Sequence, residues 1–142
     1  MQPRPTFYRS LNERVFDLKL MPGMRADIFS FLEERIDALI IESFGVGGVP
    51  SYGDEDFLTA IERWREAGKT LVVTTQVPFE GSDLGLYQVG ARVKEKLDVI
   101  EAYNMTLEAT VTKLMWILAQ TSEPRRVREM FYTPVAHDLL LF

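Results

Sequence analysis

Ala38-Leu39-Ile40-Ile41, followed closely by Ser43-Phe44-Gly45-Val46-Gly47-Gly48-Val49-Pro50, is the stretch that decides the fold. A continuous apolar run of this length suits a strand covered on both faces, as in a parallel sheet. Behind the glycine-rich loop, Asp54 to Ala67 reads as a helix. Its stripe is Phe57, Leu58, Ile61 and Trp64, and Gly68 stops it. Thr70 to Thr75 is β-branched and reads as a further buried strand. Upstream, Arg14 to Leu20 is a strand candidate, punctuated by Pro22-Gly23. Met24 to Arg35 then predicts a helix, with Ile28, Phe31, Leu32 and Ile36 at helical spacing.

Downstream, Gln76 to Asp83 is a loop and Leu84 to Lys96 is expected to be helical, though Gly85 and Gly90 weaken it. Val99-Ile100 is a very short apolar pair, suited to an edge strand. Thr106 is an N-cap candidate for a helix carrying Leu107, Val111, Leu114, Met115 and Leu118 inward. Ser122 is expected to cap a last helix, with Val127, Met130 and Phe131 inward. Pro3 and Pro5 keep the start irregular. The expected division is an irregular lead-in over 1–13 and one domain over 14–142. The alternation of strands and helices predicts an α/β fold: a three-layer, Rossmann-like domain, with a parallel sheet of about four strands and helices on both faces. In such sheets ligands bind outside the carboxyl ends of strands. That singles out Ser43 to Tyr52 and Gln76 to Asp83.

The 142 residues suit one domain. Lys and Arg total 16 against 21 Asp and Glu, a net charge of -5, which gives nucleic acid no support. With no cysteine, disulfides, thiolate nucleophiles and Cys-ligated metals are excluded, and a reducing compartment fits. No run approaches the ~20 apolar residues of a membrane span, and no signal-peptide h-region follows Met1.

Motif tests narrow the chemistry. Gly45-Val46-Gly47 imitates a dinucleotide fingerprint but has Pro50 where the third glycine belongs. The loop serves either backbone geometry or a small-ligand or interface role. Gly68-Lys69-Thr70 imitates the end of a P-loop but has Arg63 at the first glycine position and precedes a strand. His137 is the only histidine and is expected at the surface, so a serine–histidine triad has no base. Arg125, Arg126 and Arg128 read as a solvated or interface face. Asp83 suits a helix N-cap, while Glu80 or Asp83 could also hold a ligand ammonium group.

Ile41-Glu42-Ser43-Phe44-Gly45-Val46-Gly47-Gly48-Val49-Pro50 resembles the V-x-x-[FY]-G-V-G-N-x-P segment of L-asparaginases. Gly81-Ser82-Asp83-Leu84-Gly85-Leu86-Tyr87-Gln88-Val89-Gly90 is similar to G-x-V-D-x-x-x-Y-x-x-G. Met105-Thr106-Leu107-Glu108-Ala109 and Lys113-Leu114-Met115-Trp116-Ile117-Leu118 are similar to the family's M-T-x-E-A-x-x-x-K-L helix. The resemblance runs from Val15 to Phe131, fits the cytosolic type I branch best, and covers only the C-terminal half of that family.

The resemblance implies an amidohydrolase that turns L-asparagine into L-aspartate and ammonia through a covalent acyl-enzyme on threonine. That threonine belongs to a T-G-G-T-I motif in an N-terminal catalytic domain, and the motif does not occur here. Neither Thr74-Thr75 nor Thr106 sits in such a setting. The chain alone is therefore expected to be inert. No metal or organic cofactor is implied. The implied partners are the N-terminal domain, further copies in a dimer or tetramer, and L-asparagine, but no nucleic acid and no membrane. The implied location is the cytoplasm. The implied substrate- or effector-proximal residues are Gly45, Gly47, Gly48, Gln76, Glu80, Ser82 and Asp83. Asp83 or Glu80 would steer the substrate ammonium. Two departures bear on effector binding: Gly48 replaces the usual Asn, and Gln76-Val77 replaces Gln-Cys. The alternatives are an asparaginase-like component of a glutamyl-tRNA amidotransferase, or a stand-alone small-molecule-binding or dimerisation module.

Overall fold

The computed structural model describes residues 4–45, 48, 57–86, 95 and 98–140. Its elements are β1 (Val15–Lys19), α1 (Ile28–Glu33), β2 (Ala38–Ser43), α2 (Phe57–Glu66), β3 (Thr70–Thr75), a 3-10 turn (Leu84–Leu86), β4 (Ile100–Glu101), α3 (Leu107–Leu118) and α4 (Pro124–Phe131). The four strands form one parallel sheet in the order β1-β2-β3-β4. β2 and β3 are buried almost throughout, which is why their sequences show no polar alternation. β4 is only two residues long and lies at the edge, as its short apolar pair suggests.

Alternate residues of the strands feed two cores. Leu39, Ile41, Leu71 and Val73 face Phe29, Leu32, Ile61 and Trp64 of α1 and α2. The Phe29 ring meets Phe57 and Trp64 edge-on, and the Trp64 indole donates to the Thr70 carbonyl at 2.9 Å. On the other face Ala38, Ile40, Val72 and Ile100 meet Leu114, Ile117, Val127 and Phe131 of α3 and α4. The expected layers are present, but the winding is simple. Each strand is laid beside the one before it, so α1 and α2 share a face. Among the described residues, the opposite face is closed by helices that follow the last strand. This order has no reversal point, and so lacks the crevice that a reversal opens at the carboxyl ends of a sheet.

Several local expectations need correction. α1 begins at Ile28, because Pro22-Gly23 and the following turns take up the residues expected to start it. Its buried aromatic is Phe29, whereas Phe31 points outward beneath the Arg35 guanidinium, 4.2 Å from the ring centre. The inward stripe of α3 is Thr110, Lys113, Leu114 and Ile117, rotated from the expected one. Met115 is only half-buried, and Leu107, Val111 and Leu118 pack at the margin. Thr106 does cap this helix, accepting the Ala109 N–H at 3.2 Å. α4 is capped by Glu123, not Ser122: its carboxylate accepts the Arg125 and Arg126 N–H groups, and Pro124 occupies the first turn. Of the helix expected over 84–96, Leu84–Leu86 is a 3-10 turn and Glu95 is helical. The rest lies outside the described residues.

β1, at the other edge of the sheet, carries an electrostatic weak point. Asp17 and Glu42 lie on the same sheet face of β1 and β2. Burial raises the Asp17 carboxyl to about 7. A hydrogen bond with Glu42 and the Glu42 charge push the same way, while Lys19 opposes them. The folded state thus binds this proton more tightly than the unfolded chain does. The resulting stability is present below the ordinary value of 3.8 and is lost as pH rises through about 7. Asp17→Asn should therefore raise the thermal midpoint above pH 7.5 and give no gain at pH 4. Because the pair is half-buried, solvent screening holds the gain to about 1 kcal/mol. Parallel thermal melts of the two proteins at both pH values check this. An equal change at both would exclude it.

Candidate functional site

Two loops at the carboxyl end of the sheet are each fixed by a distinct device. After β2 the chain doubles back, and Phe44 and Gly48 exchange two backbone hydrogen bonds of 2.8 Å. A side-chain carbon on Gly48 would stand 3.2 Å from the Phe44 carbonyl oxygen, so an asparagine there would crowd this turn. Gly45 enters the turn at φ +50. Its carbonyl accepts from the Thr75 hydroxyl, which in turn accepts the Val77 N–H at 3.0 Å. Gly47 lies outside the described residues.

Gln76 ties three strands together. Its backbone N–H donates to the Ser43 carbonyl at 3.2 Å. Its side-chain amide donates to the Leu20 carbonyl at 2.7 Å and to the Glu42 carbonyl at 3.0 Å. Both amide protons are thus committed to the scaffold. The loop then runs out to Phe79, which is 97% exposed, and to the exposed Glu80.

The loop returns under tight control. Gly81 has φ +69, and a side-chain carbon there would come within 2.9 Å of the Tyr103 carbonyl oxygen. That same carbonyl accepts the Ser82 N–H at 2.8 Å. The Ser82 hydroxyl is buried without a hydrogen-bond partner in the structure. Asp83 is exposed and accepts the Gly85 N–H at 2.9 Å, so it caps the 3-10 turn with one oxygen. The Leu84 N–H donates to the Glu101 carboxylate at 2.7 Å.

Glu101 is the residue that sequence reasoning missed. It is fully buried at the end of β4, and its own N–H donates to the Tyr132 hydroxyl at 2.9 Å. Burial raises the Tyr132 phenol above its ordinary range. The only sequence signal for Glu101 was a lone acid directly after Val99-Ile100. The structure therefore groups Gly45, Gly48 and Gln76 at one end, and Ser82 and Asp83 with Glu101 and Tyr103 at the other. No hydrogen bond among the described residues joins Glu80 or Asp83 to the Gly45–Gly48 turn. The Thr75 and Thr106 hydroxyls are already engaged, and His137 is exposed. Among the described residues no cluster of His, Cys, Asp or Glu could hold a metal, and no helix is long and apolar enough to cross a membrane. Arg125 and Arg126 pair with Glu129, and Arg128 pairs with Asp98.

Residues 14–131 match the family described as the glutaminase/asparaginase C-terminal domain. The chain belongs to this family. It is 35% identical over 135 residues to an L-asparaginase of Thermococcus kodakarensis, covering 95% of this chain and 40% of that one. It is 36% identical over 128 residues to one component of the glutamyl-tRNA(Gln) amidotransferase of Aeropyrum pernix, covering 89% and 29%. The solved structure of the thermostable L-asparaginase from T. kodakarensis superposes with a TM-score of 0.84 at 31% identity, over all of this chain and 44% of that one. The L-asparaginase I structure from Vibrio cholerae shares the fold, with a TM-score of 0.78 at 24% identity over 90% and 38%. The chain thus spans less than half the length of these family relatives.

Proposed function

We propose that the chain is the C-terminal domain of a type I, cytoplasmic L-asparaginase, which hydrolyses L-asparagine to L-aspartate and ammonia. The nucleophilic threonine would come from a preceding domain. This chain would contribute assembly surface and the loops around Gly45, Gly47, Gly48, Gln76, Glu80, Ser82 and Asp83. The free oxygen of Asp83, or the Glu80 carboxylate, would receive the substrate ammonium. The observation that carries the reading is the winding of the sheet. It presents two rigid loops at its carboxyl end without the crevice of a reversal point, so a ligand there needs a second body to enclose it.

The test is ammonia release from L-asparagine by the chain alone, and by a chimera in which it replaces the matched part of the T. kodakarensis L-asparaginase. The chain alone should release none and the chimera should turn over. Asp83→Asn in the chimera should raise KM tenfold or more with a smaller change in kcat. Turnover by the chain alone, or an inert folded chimera, would exclude the reading. The likeness to the A. pernix amidotransferase favours a second reading, in which the ammonia is passed on to a tRNA-bound substrate. A net charge of -5 opposes a tRNA-binding surface on this domain.

A further inference from the structure

The segments flanking the family match converge on one surface. Tyr8 of the lead-in stands edge-on to Trp116 of α3, with ring centroids 5.1 Å apart. Tyr8, Ala109, Trp116 and Val135 wall a cavity of about 380 Å3, and Lys113 and Asp138 also line it. The lead-in does not trail loosely over this cavity. The Asn12 N–H donates to the Met115 carbonyl at 2.9 Å, and the Asn12 amide donates to Asp37 at 3.0 Å. The tail is pinned as well. The Lys113 ammonium, on a side chain only 4% exposed, lies 2.8 Å from Asp138 and donates to the Thr133 carbonyl at 3.0 Å. The groove is therefore preformed. Apolar groups beside it in sequence remain in water, with Phe7 78% and Val135 48% exposed.

We propose that this groove seats the domain that, in the asparaginase relatives, precedes the matched part. The proposal rests on the functional reading above and names the face through which the two domains meet. Reach and chemistry both single out this occupant. The matched part makes up 40–44% of the T. kodakarensis protein and is the family's C-terminal domain, so the remaining body joins on the lead-in side. A body joined ahead of Met1 is seven residues from Tyr8, at most about 25 Å of extended chain. That tether gives it an effective concentration on the order of millimolar at the groove. Lys113 and Asp138 neutralise each other, so the groove selects an aliphatic or aromatic side chain of that domain over a charged one.

The chain has no cysteine, so V135C and F31C each introduce a single thiol into it. Phe31 is exposed on α1, across the sheet from the groove, and serves as the control. Maleimide labelling, read peptide by peptide by mass spectrometry, compares the chain alone with the chimera described above. The expected result is labelling of V135C slowed tenfold or more in the chimera and F31C unchanged. Equal V135C rates in a chimera that hydrolyses L-asparagine overturn the docking face and leave the functional reading standing. Equal rates in an inert chimera overturn both. Protection in an inert chimera supports the face and counts against the reading. Protection in the chain alone that vanishes on dilution assigns the groove to a second copy and overturns the proposal.

Discussion

Gly81→Ala should destabilise the fold by about 2–4 kcal/mol, more than alanine at Gly68 or Gly23. Gly81, Gly68 and Gly23 all have positive φ, so alanine carries a backbone penalty of roughly 1–2 kcal/mol at each. Around Gly68 and Gly23 a side-chain carbon meets nothing within 4 Å. At Gly81 it meets the Tyr103 carbonyl oxygen at 2.9 Å, and a backbone oxygen cannot swing aside as a side-chain tip would. Relief requires separating the loop from the turn after β4, which breaks the 2.8 Å bond from Ser82 to Tyr103. The damage thus falls on Ser82 and Asp83. Urea unfolding of the three alanine variants isolates the clash, and equal losses at Gly81 and Gly68 would show that it is relieved freely.

Lys113→Met should cost about 2–4 kcal/mol despite preserving most of the side-chain volume. The substitution leaves the Asp138 carboxylate without its cation and the Thr133 carbonyl without its donor. Burial alone would raise the Asp138 carboxyl. The Lys113 ammonium and the Val135 N–H outweigh burial and hold the carboxyl below its ordinary range. The stability linked to Asp138 is therefore present above pH 3.8 and is lost as pH falls through the lowered folded value. In Lys113→Met that acid-side loss should flatten. Adding Asp138→Asn should recover part of the cost, since an orphaned carboxylate is then removed. Denaturant melts at pH 3 and pH 7 measure both effects. A loss at pH 7 under about 0.5 kcal/mol would mean that the pair contributes little, as exposed pairs do.

How much of this was legible in the sequence depended on whether a residue's role is set by near or distant neighbours. β2 and β3 were plain because strands covered on both faces favour unbroken runs of apolar and β-branched side chains, as in Ala38–Ile41 and Thr70–Thr75. Thr106 was plain because a cap is read three residues away. The aromatic burial in α1 was not, because Phe29 and Phe31 are both apolar and only the position of α2 chooses between them. The α3 stripe was misread because Lys113 and Thr110 look like solvent residues until Thr133, Asp138 and Thr106 supply their partners. Gln76 was singled out by resemblance, but the use of its amide depends on carbonyls 56 and 34 residues away in sequence. Glu101 was overlooked because a buried acid at a strand end has no local signature, only a backbone N–H brought to it by a distant turn.

The one-way winding of the sheet also sets the order in which its surfaces can be covered during synthesis. Each of the first two crossovers supplies its own helix to the Leu39–Leu71 side as it emerges, so that side is sheltered early. Among the described residues, the Ala38, Ile40 and Val72 side is covered by Leu114, Ile117, Val127 and Phe131, which leave the ribosome later. A chain interrupted after β4 would carry a finished sheet with one greasy flank bare, the kind of surface that draws chaperones or other nascent chains. The last quarter of the sequence therefore decides whether what comes before it stays soluble.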